Sequence, residues 1–66
     1  MTFRIGERIR YEGQDNENTG IRSGMDGEVV KCHPESIDVY YYDLKRTLHH
    51  KDFDMQICLK KAKRHI

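Results

Sequence analysis

The side chains best suited to chemistry lie in two short groups, Cys32-His33 and His49-His50, with Asp52 close behind the second. Thiols and imidazoles bind transition metals, and a histidine beside a carboxylate can transfer protons. Adjacent residues on a strand point to opposite faces, so only one member of each pair could reach a common ion. Zinc sites are usually recognised in a sequence by ligand pairs such as Cys-x-x-Cys, which the chain lacks. The sequence therefore predicts no metal site and no cofactor.

The spacing of the potential nucleophiles does not match that of known catalytic motifs. No Ser-His-Asp, Cys-His or Walker-type spacing is present in the sequence. A histidine on a surface strand is most often a solvated side chain. We therefore expect a protein that binds rather than an enzyme.

A third kind of chemistry, base stacking with charge neutralisation, is available on the predicted strands. Tyr40 and Tyr42 alternate with apolar residues and project from the face opposite to Ile37 and Val39. Aromatic rings among cations suit single-stranded nucleic acid, because bases stack on the rings and cations neutralise phosphates. The alternative is that the tyrosines thicken the core or line an oligomer interface. The predicted nucleic-acid contacts are Arg8, Arg10, Lys31, Tyr40, Tyr42 and Arg46.

Composition restricts the class of protein. Twelve Lys and Arg against eleven Asp and Glu give a net charge of +1, so the chain as a whole is not a polyelectrolyte binder. Sixty-six residues that are 36% hydrophobic, with a mean hydropathy of −0.90, make one domain with a lean core. We therefore expect a homodimer or a surface completed by a partner. The absence of a spanning run or a signal peptide predicts a cytoplasmic protein with no membrane partner, and both cysteines are expected to be thiols.

Period-two alternation predicts five short strands that must position these side chains. An acidic loop at 12–23 follows the first strand, and Asp26-Gly27 predicts a turn into the second. A single 3₁₀ turn at 52–54 is predicted before the last strand, and the basic run at 60–66 is predicted to be a frayed tail. The predicted strands cover 3–11, with a bend at Gly6 after which the regular strand begins, and 28–32, 37–42, 46–50 and 55–59.

The predicted core follows from the same alternation. Whether Val29 or Val30 points inward stays open, because a slip of one residue turns every side chain to the other face. The predicted core residues are Ile5, Ile9, Val30, Ile37, Val39, Tyr41, Leu48, Phe53, Ile57 and Leu59.

Three segments carry a resemblance to SH3-like barrels, and among them to KOW-type modules: Ile5-Gly6-Glu7-Arg8-Ile9-Arg10, Gly24-x-x-Gly27-Glu28-Val29-Val30 and Ile37-Asp38-Val39-Tyr40. The resemblance implies an all-β fold, a small SH3-like barrel of about five mostly antiparallel strands. It also implies a single domain at 1–59 followed by the basic tail at 60–66.

The resemblance also favours particular functions. KOW-type modules often contact RNA or RNA-bound machinery, which implies a module that binds RNA or single-stranded DNA. SH3-like barrels frequently bind peptides or partner proteins as well, through the long first loop and aromatic side chains. The alternative function is therefore a protein–protein interaction module, or an accessory or inhibitor protein of phage or mobile-element type that acts on a host protein.

Overall fold

The computed structural model describes residues 3–62, which form five strands and one short helix. The strands form one antiparallel sheet in the order β4-β3-β2-β1-β5. The predicted all-β class is therefore confirmed. The helix has four residues, and no helix in residues 3–62 is long and apolar enough to cross a membrane. The elements are β1 (Arg8–Tyr11), β2 (Asp26–Cys32), β3 (Ile37–Tyr41), β4 (Arg46–His50), α1 (Phe53–Gln56) and β5 (Leu59–Lys61).

The sheet does not close into the predicted barrel, because β4 and β5 are its two edges and no strand pairing joins them within residues 3–62. It is nevertheless strongly curled. Tyr11 in β1 and His50 in β4 are three strands apart, which is about 14 Å on a flat sheet. Their ring centroids are only 6.2 Å apart, and the Tyr41 ring lies 6.5 Å from Tyr11 and 5.8 Å from His50. The concave side of the sheet therefore encloses the core.

The core contains five of the predicted residues: Ile9, Ile37, Val39, Tyr41 and Leu59. It also contains Val29, which was the open alternative to Val30. Tyr11 and Ile21 belong to the core and were not predicted there. Leu48 is partly buried against this core, and the side chain of Phe53 lies outside the described part of the chain. The prediction was wrong for Ile5, Val30 and Ile57, which are 68%, 42% and 59% exposed.

A β-bulge at Val30 decides which valine is inside. Val29 pairs with Val39, and the next pair joins Lys31 to Asp38, so Val30 is an extra residue without a partner on β3. Val29 is fully buried. Because the bulge shifts the alternation by one residue, Lys31 lies on the same face of the sheet as Asp38 and not on the face of Val29.

The last predicted strand at 55–59 is wrong, because α1 covers Met55 and Gln56 and a turn covers Ile57 and Cys58, which leaves only Leu59 in a strand. The backbone amide of Gln56 donates to the carbonyl of Asp52 at 3.0 Å, and its side-chain amide donates to the carbonyls of Glu35 and His50. This buried amide holds α1 against the end of the sheet, and β5 begins only at Leu59. Lys60 and Lys61 therefore belong to the sheet. Of the predicted tail, 63–66 lies outside the described residues.

The segments before and after β1 also differ from the prediction. Gly6 has a φ of +90° and its amide donates to the carbonyl of Val29 at 2.7 Å, so a turn precedes β1 and leaves Ile5 outside the core. The predicted loop at 12–23 is present, but it is anchored. Its Ile21 is buried, and the backbone amide of Asn16 donates to the Ile21 carbonyl at 2.9 Å.

The bulge makes a direct prediction for two adjacent valines. Val29→Ala should lower the free energy of unfolding by about 2 kcal/mol, because it removes buried methyl groups and leaves a cavity. Val30→Ala, its matched control, should cost less than about 1 kcal/mol at an exposed strand position. Urea unfolding followed by circular dichroism measures both. Equal losses in the two variants would contradict the bulged register.

Candidate nucleic-acid interface

The convex side of the sheet, here called the outer face, is defined by strand register. Side chains directly opposite each other on paired strands point to the same side. Arg8 lies opposite Glu28, Glu28 opposite Tyr40, and Tyr40 opposite Thr47. One row of side chains therefore crosses four strands. A parallel row is formed by Asp26, Arg10 and Lys60.

A tyrosine cluster, consisting of Tyr40, Tyr42 and Arg8, lies at the middle of the outer face. The two rings are half-buried and pack edge to face, with centroids 6.0 Å apart at an interplanar angle of 70°. The Arg8 guanidinium carbon lies 5.7 Å from the centre of the Tyr42 ring, within the range of a cation–π contact. The cluster therefore already combines stacked aromatic surface with positive charge.

The Tyr42 ring is held in place from both ends. Its backbone amide donates to the carbonyl of Asp26 at 3.2 Å, and its hydroxyl donates to Oε1 of Glu28 at 3.2 Å. Burial, together with the hydrogen bond to Glu28, raises the pKa of Tyr42 above its ordinary value, against an opposing effect of Arg8. The ring is therefore neutral and fixed in orientation at physiological pH.

A basic groove of about 430 Å³ lies beside the cluster, along β1 and the edge strand β5. Arg8, Arg10 and Lys60 belong to the outer face, and Lys61, opposite the buried Ile9, lines the groove from the edge. Its cations are partly balanced by acids: Arg10 Nε is 3.0 Å from Asp26 Oδ1, and Lys61 Nζ is 3.1 Å from Glu7 Oε2. Exposed pairs of this kind contribute little free energy, so a phosphate can replace the carboxylate at small cost. The lining residues are Arg8, Arg10, Glu12, Asp26, Lys60, Lys61 and Ala62.

The predicted contact residues do not all come together. Arg8, Tyr40 and Tyr42 are in contact, Arg10 lines the groove, and Lys31 lies further along the outer face, opposite Asp38. Arg46 is elsewhere. It lies opposite the buried Tyr41, on the other side of the sheet, and its guanidinium donates to the carbonyl of Thr19 in the anchored loop.

Lys60 and Lys61 are the groove residues that sequence analysis missed. They were assigned to a frayed tail because the last strand was expected to end at Leu59. No pattern in the sequence shows where β5 begins; in the structure it starts at Leu59, and Lys60 and Lys61 pair with Arg10 and Ile9 of β1.

A second group, the His–Asp–His cluster, consists of His33, Asp38 and His49. Nε2 of His33 is 3.3 Å from Asp38 Oδ2, and Nδ1 of His49 is 2.5 Å from Asp38 Oδ1. The hydrogen bonds from His49 and, to a smaller extent, from His33 lower the pKa of the Asp38 carboxyl. Within residues 3–62 this is the one group of three metal-ligating side chains whose ligand atoms lie close together.

The residues that sequence analysis considered for metal binding or proton transfer are divided between the two faces. His50 is buried in the core, and Cys32 directs its Sγ toward the carbonyl of Phe3 at 3.6 Å. Only His33 and His49 of the two pairs meet. They do so through Asp38, which the pattern of histidines and cysteines did not reveal.

Comparison of the chain with models of protein families, with curated proteins and with solved structures gives no match in any of the three. The functional argument therefore depends on the geometry of the outer face.

Proposed function

We propose that this protein is a small non-enzymatic module that binds single-stranded nucleic acid, RNA or single-stranded DNA, on the outer face of its sheet. The observation that carries the proposal is the tyrosine cluster directly beside the basic groove, with Arg8 belonging to both. Proteins that bind single strands commonly combine aromatic surfaces for the bases with a positive groove for the backbone.

In this proposal the tyrosine cluster binds the bases and the basic groove binds the phosphates. A base stacks on the exposed part of Tyr40 or Tyr42, an interaction of about 1–3 kcal/mol per base. The neighbouring phosphates then lie along the groove, where Arg10 and Lys60 are opposite each other across β1 and β5. Because Arg8 touches the Tyr42 ring, it can contact a phosphate while it stays over the ring.

The fold gives this proposal further support. The five antiparallel strands and the helical turn before the last of them agree with the layout that the SH3-like resemblance implies. The KOW-type resemblance within that class favours an RNA ligand. The sheet differs from the expected barrel in that it is curled but open.

Binding should depend on a local patch, because the net charge of the whole chain is only +1. Four cations line the groove. If each neutralises one phosphate of a single strand, log K should fall with log salt concentration with a slope of about −3. We expect this slope from fluorescence titrations of a labelled oligonucleotide at several salt concentrations. A slope near zero would contradict phosphate binding in the groove.

The binding surface itself is tested by an NMR titration of the ¹⁵N-labelled protein with short single-stranded RNA and DNA. We expect shifts concentrated on Arg8, Tyr40, Tyr42 and Lys60. Tyr42→Ala and Arg8→Ala should each weaken binding at least about fivefold, since each removes stacking or a charge next to it. Arg46→Ala is the matched control, because it removes an arginine that points away from this face.

Two outcomes would count against the proposal: shifts confined to residues after Ala62, or equal losses in Arg8→Ala and Arg46→Ala. The first would mean that any polyanion binds the basic end of the chain. The predicted protein-partner role and the predicted homodimer stay predictions. The large apolar side chains whose burial would stabilise such an interface are Ile5, Val30, Met55 and Ile57.

A further inference from the structure

We propose that the His–Asp–His cluster is a binding site for a divalent transition-metal ion, with zinc as the expected occupant. This inference goes beyond nucleic-acid binding and does not depend on it. It begins from the backbone, because strand register places Asp38 beside His49 and the turn after β2 adds His33.

The backbone fixes the three ligands independently. Asp38 lies on β3, directly opposite His49 on the edge strand β4. His33 follows β2, and its backbone amide donates to the carbonyl of Ser36 at 2.8 Å, which closes the turn between β2 and β3. The turn directs the His33 ring back over Asp38, and the two imidazole rings lie 5.6 Å apart. Two paired strands and one tight turn therefore hold the cluster.

The distances suit a metal ion. The three ligand atoms all lie within 4.8 Å of one another, and His33 Nε2 is 3.3 Å from Asp38 Oδ2. Around a tetrahedral zinc ion with bonds of about 2.0–2.1 Å, ligand atoms are about 3.3 Å apart. Small rotations of the exposed side chains, which are 33%, 22% and 50% exposed for His33, Asp38 and His49, bring all three to this spacing.

The donor set selects the class of ion. Two imidazole nitrogens and one carboxylate oxygen suit zinc, copper, nickel and ferrous iron, whereas magnesium and calcium prefer ligands that are all oxygen. Without an ion, each of the two nitrogens facing the carboxylate carries a proton and donates to it. Metal binding replaces these two protons, because a coordinating imidazole nitrogen must offer its lone pair. The remaining coordination positions face solvent.

The ion would join three strands of the sheet at one end. It connects the turn after β2, the start of β3 and the edge strand β4, where hydrogen bonds between side chains now make the same connection. An ion that binds the folded state and not the unfolded chain stabilises the fold by mass action. A chain with a lean core has most to gain from such a ligand.

The test uses the full chain without an affinity tag. Cobalt is titrated first, because its visible d–d absorption reports the coordination geometry, and zinc is then added in competition. We expect one ion per chain, no binding of magnesium, and a rise in Tm of at least about 5 °C when zinc is at a hundred times its Kd. Zinc should also shift the ring resonances of His33 and His49 in NMR spectra.

Variants test whether the metal ion binds at this cluster or at another cysteine or histidine. Asp38→Asn and His49→Ala should each weaken metal binding at least about tenfold, since even the loss of a residue that only supports a ligand has effects of that size. Cys32→Ser removes the neighbouring exposed thiol, and His65→Ala removes a histidine outside the described residues; both controls should bind as the parent does. If His49→Ala fails to fold, Asp38→Asn, which keeps the size of the side chain, gives the answer. Unchanged affinity in Asp38→Asn, or no binding at millimolar cobalt and zinc, would overturn the proposal.

Discussion

Gly27→Ala should leave the protein largely unfolded at room temperature. Gly27 lies in β2, paired with Ile9 on β1 and with Tyr41 on β3. A Cβ atom added there would lie 2.6 Å from the carbonyl oxygen of Tyr40, 2.8 Å from a methyl carbon of Val39 and 3.1 Å from the Tyr41 ring. The nearest of these atoms is backbone, so no side-chain rotation relieves the contact.

The size of the effect follows from how little stability is available. A chain of this length has a free energy of unfolding of about 3–10 kcal/mol, at about 0.05–0.15 kcal/mol per residue. Forcing extra atoms into a packed site costs about 1–3 kcal/mol and more where the backbone must move. A backbone shift at this point would also separate β2 from β3, the pairing that holds the centre of the sheet.

Two other glycines serve as controls, because they are required for a different reason. Gly6 and Gly24 have φ values of +90° and +97°, with open space where a Cβ would lie. Alanine at either position should cost about 1–2 kcal/mol through the left-handed backbone, and the fold should survive. Circular dichroism and the dispersion of amide resonances report folding in all three variants. A folded Gly27→Ala as stable as Gly6→Ala would contradict the packing described for β2.

The same glycine shows where sequence analysis reached its limit. Asp-Gly is common in turns, so Gly27 was assigned to a turn before the second strand, but it lies inside that strand. Composition alone does not distinguish a glycine that allows a positive φ from one that leaves room for a neighbouring strand. The contact with Tyr40 depends on the curl of the whole sheet, and no local pattern encodes it.

Alternation predicted faces correctly wherever a strand is regular. It placed Ile37, Val39 and Tyr41 inward and Tyr40 outward, and it gave the bounds of β4 as observed. It left the choice between Val29 and Val30 open, because a bulge adds one residue without changing the residue types around it. It was wrong at Ile57, which was predicted to be in the core but is exposed, whereas the neighbouring Gln56 is buried.

The two candidate sites were predictable to different degrees. Arg8 on β1 and Tyr42 directly after β3 contact each other across β2, and both faces were correctly assigned, so the tyrosine cluster could be anticipated. The His–Asp–His cluster needs the register of β3 against β4 and the shape of the turn after β2. The histidines are sixteen positions apart in the chain, and only the pairing of Asp38 with His49 shows that they meet.

Tyr41 should make the protein sensitive to alkali. Its hydroxyl shares a hydrogen bond of 2.8 Å with Nε2 of His50, and both residues are buried. Burial, with a smaller contribution from Tyr11, raises the pKa of Tyr41 well above its ordinary value. The unfolded state therefore ionises near pH 10 while the folded state keeps its proton. Stability is fully present below that pH and is lost as the pH rises toward the folded pKa, by at most about 1.4 kcal/mol per pH unit for this group.

Tyr41→Phe removes the hydroxyl and keeps the buried ring, so it tests the contribution of the hydroxyl alone. At pH 8 the variant should be less stable by about 1–3 kcal/mol, because His50 loses the partner of Nε2 while its Nδ1 already has no hydrogen-bond partner in residues 3–62. Above pH 10 its stability should fall less steeply than that of the parent, although the raised pKa of Tyr11 keeps part of the slope. Urea unfolding from about pH 8 to about pH 11.5 measures both effects. Parallel curves of stability against pH for the parent and the variant would mean that the Tyr41 hydroxyl ionises as easily in the folded state as in the unfolded chain. The buried contact with His50 would then be wrong.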